Sequence, residues 1–148
     1  MEFKIRKLKE NDRCEILSMM EDFYSSEAVF TNGSKEIFTE DFEQCINNSP
    51  YLEGYIFSDD SITAGYAMIA KSFSTEFGKP CIWLEDLYLK SEYRGFGIIP
   101  KFIQYIESLH HDSVLRLEAE KENIHALHVY KKNGFTVLPY LELIKNAH

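Results

Sequence analysis

Residues 83–102 read WLEDLYLKSEYRGFGIIPKF: an apolar run carrying two adjacent acids, Glu85 and Asp86, breaks into Arg94-Gly95-Phe96-Gly97 and resumes as apolar residues at helical spacing. A tight Arg-Gly-x-Gly turn that opens a helix suits an anion, because glycines let the backbone approach closely and the first helical N–H groups have no intrahelical partner. One charge at a helix end gains only about 0.3–1 kcal/mol, so several N–H groups must act together, as they would on a pyrophosphate. Taken alone, Gly-x-Gly before a helix is weak, and half of such turns do nothing but turn. It is not a nucleotide P-loop, since no Gly-Lys-Ser/Thr follows. It is not a dinucleotide fingerprint either, because Pro100 holds the third-glycine position. Pro100 itself is acceptable in a first helical turn. Strict strand alternation sends Glu85 and Asp86 to opposite faces, and a bulge would change which one faces a cleft. Adjacent acids at a strand end also cap turns or pair with a neighbour such as Lys90.

A second group lies downstream: Asn123, Ala126, Tyr130, Gly134 and Phe135. By themselves these describe a capped helix with one apolar stripe, closed by a left-handed glycine. His125 and His128 lie one turn apart, a spacing that can bind metal, but no third ligand is evident and no metal is expected. Lys131 and Lys132 complement the helix dipole.

Together, Arg94-Gly95-Phe96-Gly97-Ile98-Ile99 and the Asn123 to Phe135 block resemble the GNAT superfamily. Its acetyl-CoA loop reads Gln/Arg-x-x-Gly-x-Gly/Ala, and its next block reads Asn-x-x-Ala-x-x-x-Tyr followed by Gly-Phe. The stretch Ala64-Gly65-Tyr66-Ala67 and residues 72–89 further resemble the diamine and polyamine acetyltransferase branch. The likeness covers about half the chain, from Ser61 to Phe135. It departs from the family at Ile99, where Gly or Ala is usual. A branched side chain there either tilts into the core stripe with Phe102 and Ile103 or faces the phosphates and weakens binding.

The resemblance implies transfer of an acetyl group from acetyl-CoA to a primary amine by direct attack, both substrates being bound together. The acceptor would be a small molecule or polyamine. Same-class rivals are peptide N-termini and lysine side chains, and a different class is a non-catalytic acyl-CoA-binding module. By the same resemblance Glu85 is the base, with Asp86 able to substitute, and Tyr130 protonates the departing thiolate. Such groups contribute about 100- to 10,000-fold. A phenol of pKa about 10 gives a proton to a thiolate of pKa about 8.5 only with local help. Main-chain groups of Leu87, Tyr88 and Leu89 would hold the pantetheine arm, and Arg94, Gly95, Phe96, Gly97, Ile98 and Ile99 the pyrophosphate. Asn123 would either touch the coenzyme or simply cap its helix. The amine would sit against the first two helices, at Phe23, Tyr24, Ser25, Ser26 and Glu27, with Glu85 and Asp86 opposite. Many relatives pair, so a homodimer is open, but no interface patch is evident.

The elements that must position these groups follow from periodicity. A strand is expected over residues 2–8, a helix capped by Asn11 or Asp12 with Ile16, Met20 and Phe23 on one face, and a helix after residues 31–34 carrying Ile37, Phe38, Phe42 and Ile46. Strands follow over 51–57, 62–70 and 81–89, with turns at Asp59-Asp60-Ser61 and Gly78-Lys79-Pro80. Then come a helix with Ile99, Phe102, Ile103 and Ile106, a strand over 114–117, a helix with Ala126, Leu127 and Tyr130, and final strands over 135–138 and 140–144. The predicted class is α/β (α+β), a GNAT-like mixed, mostly antiparallel sheet of six to seven strands with about four helices, ordered β-α-α-β-β-β-α-β-α-β-β, in a single domain over 1–148.

Composition agrees. The chain has 148 residues, 45% hydrophobic and 14% aromatic, enough to bury one core. A formal net charge of -8 opposes nucleic-acid binding and mildly favours a cationic acceptor. No apolar run approaches the ~18 residues of a membrane span or forms a signal-peptide core. Cys14, Cys45 and Cys81 are odd in number and form no CxxC pair. A soluble cytoplasmic protein is therefore expected.

Overall fold

The computed structural model describes residues 2–59 and 61–147. Strand β1 (Lys4–Lys7) leads through a one-turn 3-10 helix into α1 (Arg13–Tyr24). Ser34 then starts α2 (Lys35–Ile46) by accepting the Ile37 N–H at 3.2 Å, a serine N-cap. Three antiparallel strands follow, β2 (Leu52–Ser58), β3 (Thr63–Ser74) and β4 (Lys79–Leu89), and then α3 (Ile98–Leu109), β5 (Val114–Leu117) and α4 (Ile124–Lys132). The sheet order is β1-β2-β3-β4-β5, with only β4 and β5 parallel. Asp59 Oδ1 accepts the N–H groups of Ser61 and Ile62 at the expected turn, in which Asp60 lies outside the described residues.

Each sheet face buries its own cluster. On one, Phe57, Ala67, Ile69, Ile82, Leu84 and Leu89 pack on Ile98, Phe102, Ile103 and Ile106 of α3. On the other, Ile56, Tyr66, Met68 and Tyr88 pack on Ile16 and Met20 of α1 and Phe38 and Phe42 of α2. Each fully buried large side chain contributes about 1.5–3 kcal/mol relative to exposure. Ile37, expected on the apolar stripe of α2, is instead 51% exposed.

Strand β4 changes phase in its middle. Met68 pairs with Asp86 but Ile69 pairs with Leu84, so Glu85 is an extra residue with no opposite number, a β-bulge. Ile82 and Leu84 face α3, and beyond the bulge Leu87 and Leu89 face it again while Asp86 and Tyr88 turn to α1 and α2.

The expected count of six to seven strands is corrected to five among the described residues. Residues 135–138 and 140–144 have strand-like alternation but form no ladder, and without paired N–H and C=O groups a strand does not exist. The order therefore ends β-α rather than β-α-β-β.

Candidate active site

Pairing between β4 and β5 runs only from Cys81 with Val114 to Leu84 with Leu117. Beyond it, residues 86–89 of β4 pair with β3 alone, so the sheet splits and leaves one edge of the Leu87, Tyr88 and Leu89 main chain open. The Arg94-Gly95-Phe96-Gly97 turn follows directly. Gly95 and Gly97 take φ of 85° and 79°, a left-handed backbone that side-chain-bearing residues resist. Among the described residues no backbone hydrogen bond uses the N–H groups of Gly95, Phe96, Gly97, Ile98 or Ile99, and only at Lys101 does the helix ladder begin, on Gly97 O at 3.1 Å. A run of free amides at a helix N-terminus is an anion cradle. A Cβ on either glycine would meet nothing within 4 Å, so the space above the turn is open. Arg94 turns back, donating Nε to Leu89 O at 3.0 Å. Ile99 packs against the α3-side cluster, the first of its two expected orientations.

The bulge turns Asp86 toward α1 and α2. Asp86 is 2% exposed and accepts from Tyr24 at Oδ1 (2.9 Å) and from Tyr66 at Oδ2 (2.7 Å). Both oxygens receive phenol protons, the arrangement an ionised carboxylate requires. Burial nevertheless raises its proton affinity, and the two hydroxyls oppose that shift. Glu85 is exposed beside it, and its carboxyl is raised by desolvation and then by the charges of Asp86 and Glu142. Asp41 of α2 completes the group. Burial, followed by repulsion from Asp86, Glu40 and Glu85, lifts it to about 6. No ion pair among the described residues reaches Asp41, Glu85 or Asp86.

Aromatic rings wall this group. Phe23 packs edge-on to Tyr24, Tyr66 and Tyr88 at 5.2, 6.4 and 6.1 Å, and Tyr88 donates its hydroxyl to Asp22 at 2.5 Å. Of the residues expected near the amine, Phe23 and Tyr24 therefore join Glu85 and Asp86. Ser25 and Ser26 close the helix end by donating to Asp22 O and Phe23 O. Glu27 is exposed past α1 and no hydrogen bond or ion pair among the described residues ties it to the group. Asp41 and Tyr66 were missed. Asp41 carried a signal, a charge inside the Phe38 to Phe42 stripe, whereas Tyr66 looked like an ordinary strand aromatic.

Asn123 caps α4 by accepting the Ala126 N–H at 3.3 Å. Tyr130 is half-buried against the α3-side cluster and edge-on to Phe135 at 6.1 Å, and burial raises its proton affinity. Its hydroxyl has no hydrogen-bond partner among the described residues. His125 and His128 are exposed, and no group of three or more metal-ligating side chains occurs among the described residues. No helix there is long and apolar enough to cross a membrane.

A split sheet, an amide-lined turn at its mouth and an acidic, aromatic wall opposite define a domain of the acyltransferase class. The chain belongs to the acetyltransferase (GNAT) family, whose profile matches residues 16–135. Over 73 residues it is 41% identical to the thialysine N-epsilon-acetyltransferase of Bos taurus, a match covering 47% of this chain and 42% of that protein. It thus spans less than half the length of that relative. Its fold is similar to that of a "possible acetyltransferase" from Clostridium difficile, with a TM-score of 0.82 at 18% identity over 100% of this chain and 99% of the other. It is also similar to a "predicted acetyltransferase with acetyl-CoA" from Clostridium acetobutylicum, with a TM-score of 0.75 at 21% identity over 96% of each chain.

Proposed function

We propose that this protein transfers the acetyl group of acetyl-CoA to a primary amine of a small molecule or polyamine, by direct attack with both substrates bound. The observation that carries this reading is the juxtaposition of the Asp41, Glu85 and Asp86 carboxylates, which have no cation of their own, with the open edge of β4. A likeness to a thialysine N-epsilon-acetyltransferase supports the amine class.

Bound acetyl-CoA would supply an activated thioester. The free amides of Gly95 to Ile99 suit its pyrophosphate, and the exposed main chain of Leu87 to Leu89 suits its pantetheine arm. Ile99 lies in the core stripe, which leaves its N–H available. The acceptor arrives as an ammonium, for which three carboxylates and the faces of Phe23 and Tyr24 are complementary. Glu85 then takes a proton from it. Its raised affinity brings it nearer the working pH, where a base is most effective. Burial keeps Tyr130 protonated, the state a donor to the leaving sulfur needs. Asn123 serves as the cap of α4, which aims Tyr130.

Thiol release from acetyl-CoA across a panel of diamines, polyamines, lysine analogues and peptides tests the reading. Turnover with a small primary amine is expected, and Glu85→Gln should lower kcat/KM about 100- to 10,000-fold at unchanged coenzyme affinity. Coenzyme binding without turnover on any amine would instead make this a non-catalytic acyl-CoA-binding module. Turnover confined to peptides would move the acceptor to protein.

A further inference from the structure

Of the three acids in the acceptor wall, Asp86 alone is buried, 2% exposed, with a phenol on each oxygen. So enclosed, it is poorly placed to touch an amine. Burying a carboxylate with no cation beside it is costly, because neutral hydroxyls return only part of the hydration it loses. A brace joining α1 to β3 and β4 needs no charge, so the buried acid asks for another explanation.

The fold builds that charge in. The Tyr66 ring is fully buried, edge-on to Phe23 at 6.4 Å and tilted on Tyr88 at 5.9 Å, while Tyr24 leans on Phe38 at 5.2 Å, so packing aims both hydroxyls. Burial and then the Asp86 charge raise the proton affinity of both phenols, which therefore stay donors. Nothing comparable holds a charge on Asp41 or Glu85, which accept no side-chain hydrogen bond among the described residues.

What the Asp86 charge acts on is Glu85, its neighbour at the unpaired position of the bulge, which is exposed to solvent. A charge held in a poorly screened interior acts on such a neighbour more strongly than one in water. Besides the two tyrosines, the titratable groups about this pair are Asp41, Glu40 and Cys45 of α2 and Glu118 and Glu142 beyond β5, and none of them is a cation.

We infer that Asp86 is a positioning residue of the reaction, a fixed anion held by the Tyr24 and Tyr66 hydroxyls that acts on the acceptor's proton through Glu85 without touching the amine. This rests on the reading of Glu85 as the base. The proton moves from the ammonium nitrogen to a Glu85 oxygen, which frees the nitrogen lone pair for attack and leaves one negative charge on the two acids instead of two. No bond to Asp86 forms or breaks. Its charge makes the transfer more favourable, and Tyr66 keeps the charge in place.

Carbon-13 titration of the side-chain carboxyls in the full chain tests this, with Glu85 and Asp86 identified by the signals lost in Glu85→Gln and Asp86→Asn. In Asp86→Asn the Glu85 titration should move to lower pH. In Tyr66→Phe the Asp86 titration should move to higher pH, since one of the two hydroxyls that oppose its protonation is gone. Adding Tyr66→Phe to Asp86→Asn should leave Glu85 where the single variant put it, because Tyr66 acts only through the charge. The acidic limb of kcat/KM for a primary amine should follow Glu85 to lower pH in Asp86→Asn, at unchanged heat of coenzyme binding. A Glu85 titration unmoved by Asp86→Asn, or an Asp86 titration unmoved by Tyr66→Phe, would overturn the inference. Lower stability in urea with both titrations in place would reduce the three residues to a brace. The titrations need no turnover, so a failure here and a failure of acetyl transfer give different results.

Discussion

The chain up to Leu109 and the chain beyond it are built to different standards. Among the described residues every buried apolar side chain lies between Phe3 and Ile106, whereas β5 and α4 bury none fully and the arm after α4 is bare. The first region has two clusters that hold its sheet on both faces. The second region carries Asn123 and Tyr130 on one side of the split. Its order is thus the part most open to coenzyme and partner, since local stability follows local burial.

Four substitutions test this contrast. Phe102 is fully buried and edge-on to Tyr55 and Phe57 at 5.5 and 5.3 Å, so Phe102→Ala should cost about 3–5 kcal/mol in urea unfolding. Asp41→Asn should act in the opposite direction. The folded-state value of Asp41, about 6, lies above its ordinary 3.8, so its favourable contribution is present below about pH 4 and lost as pH rises through 6. The amide should therefore stabilise by about 2 kcal/mol at pH 7.5 and by nothing at pH 3.5, while weakening turnover on cationic amines. Gly97→Ala forces a Cβ into left-handed backbone, and should cost about 1–2 kcal/mol and reduce the heat of coenzyme binding. Ile124, 76% exposed on α4, should tolerate Ile124→Ser within about 0.5 kcal/mol. A loss comparable to that of Phe102→Ala would erase the distinction between the regions.

The sequence carried the helices and the first five strands because their apolar residues repeat at the period of the element that buries them, as Phe102, Ile103 and Ile106 do. The glycine turn was readable for a local reason too, since left-handed backbone has few candidate residues. Pairing was not readable. Residues 135–144 alternate like strands, but a strand depends on a paired neighbour, and among the described residues they have none. The convergence of Asp86 with Tyr24 and Tyr66 was equally hidden, because those contacts span 62 and 20 residues and depend on the phase of β4. Alternation alone left the facing of Glu85 and Asp86 open, and the unpaired residue decided it.

That supernumerary residue acts as a reading-frame shift written in geometry. Deleting it would leave Leu84 opposite Ile69 and Asp86 opposite Met68 in plain alternation, with Asp86 still toward the tyrosines; forcing it into the ladder instead would drive Asp86 toward the Phe102 cluster and Leu87 and Leu89 toward the tyrosines. Lineages of this protein should therefore keep the fold after either a replacement or a deletion at position 85, each of which removes one carboxylate, but not after a single deletion at a paired position such as Leu87, which would turn the sheet's wet side inward.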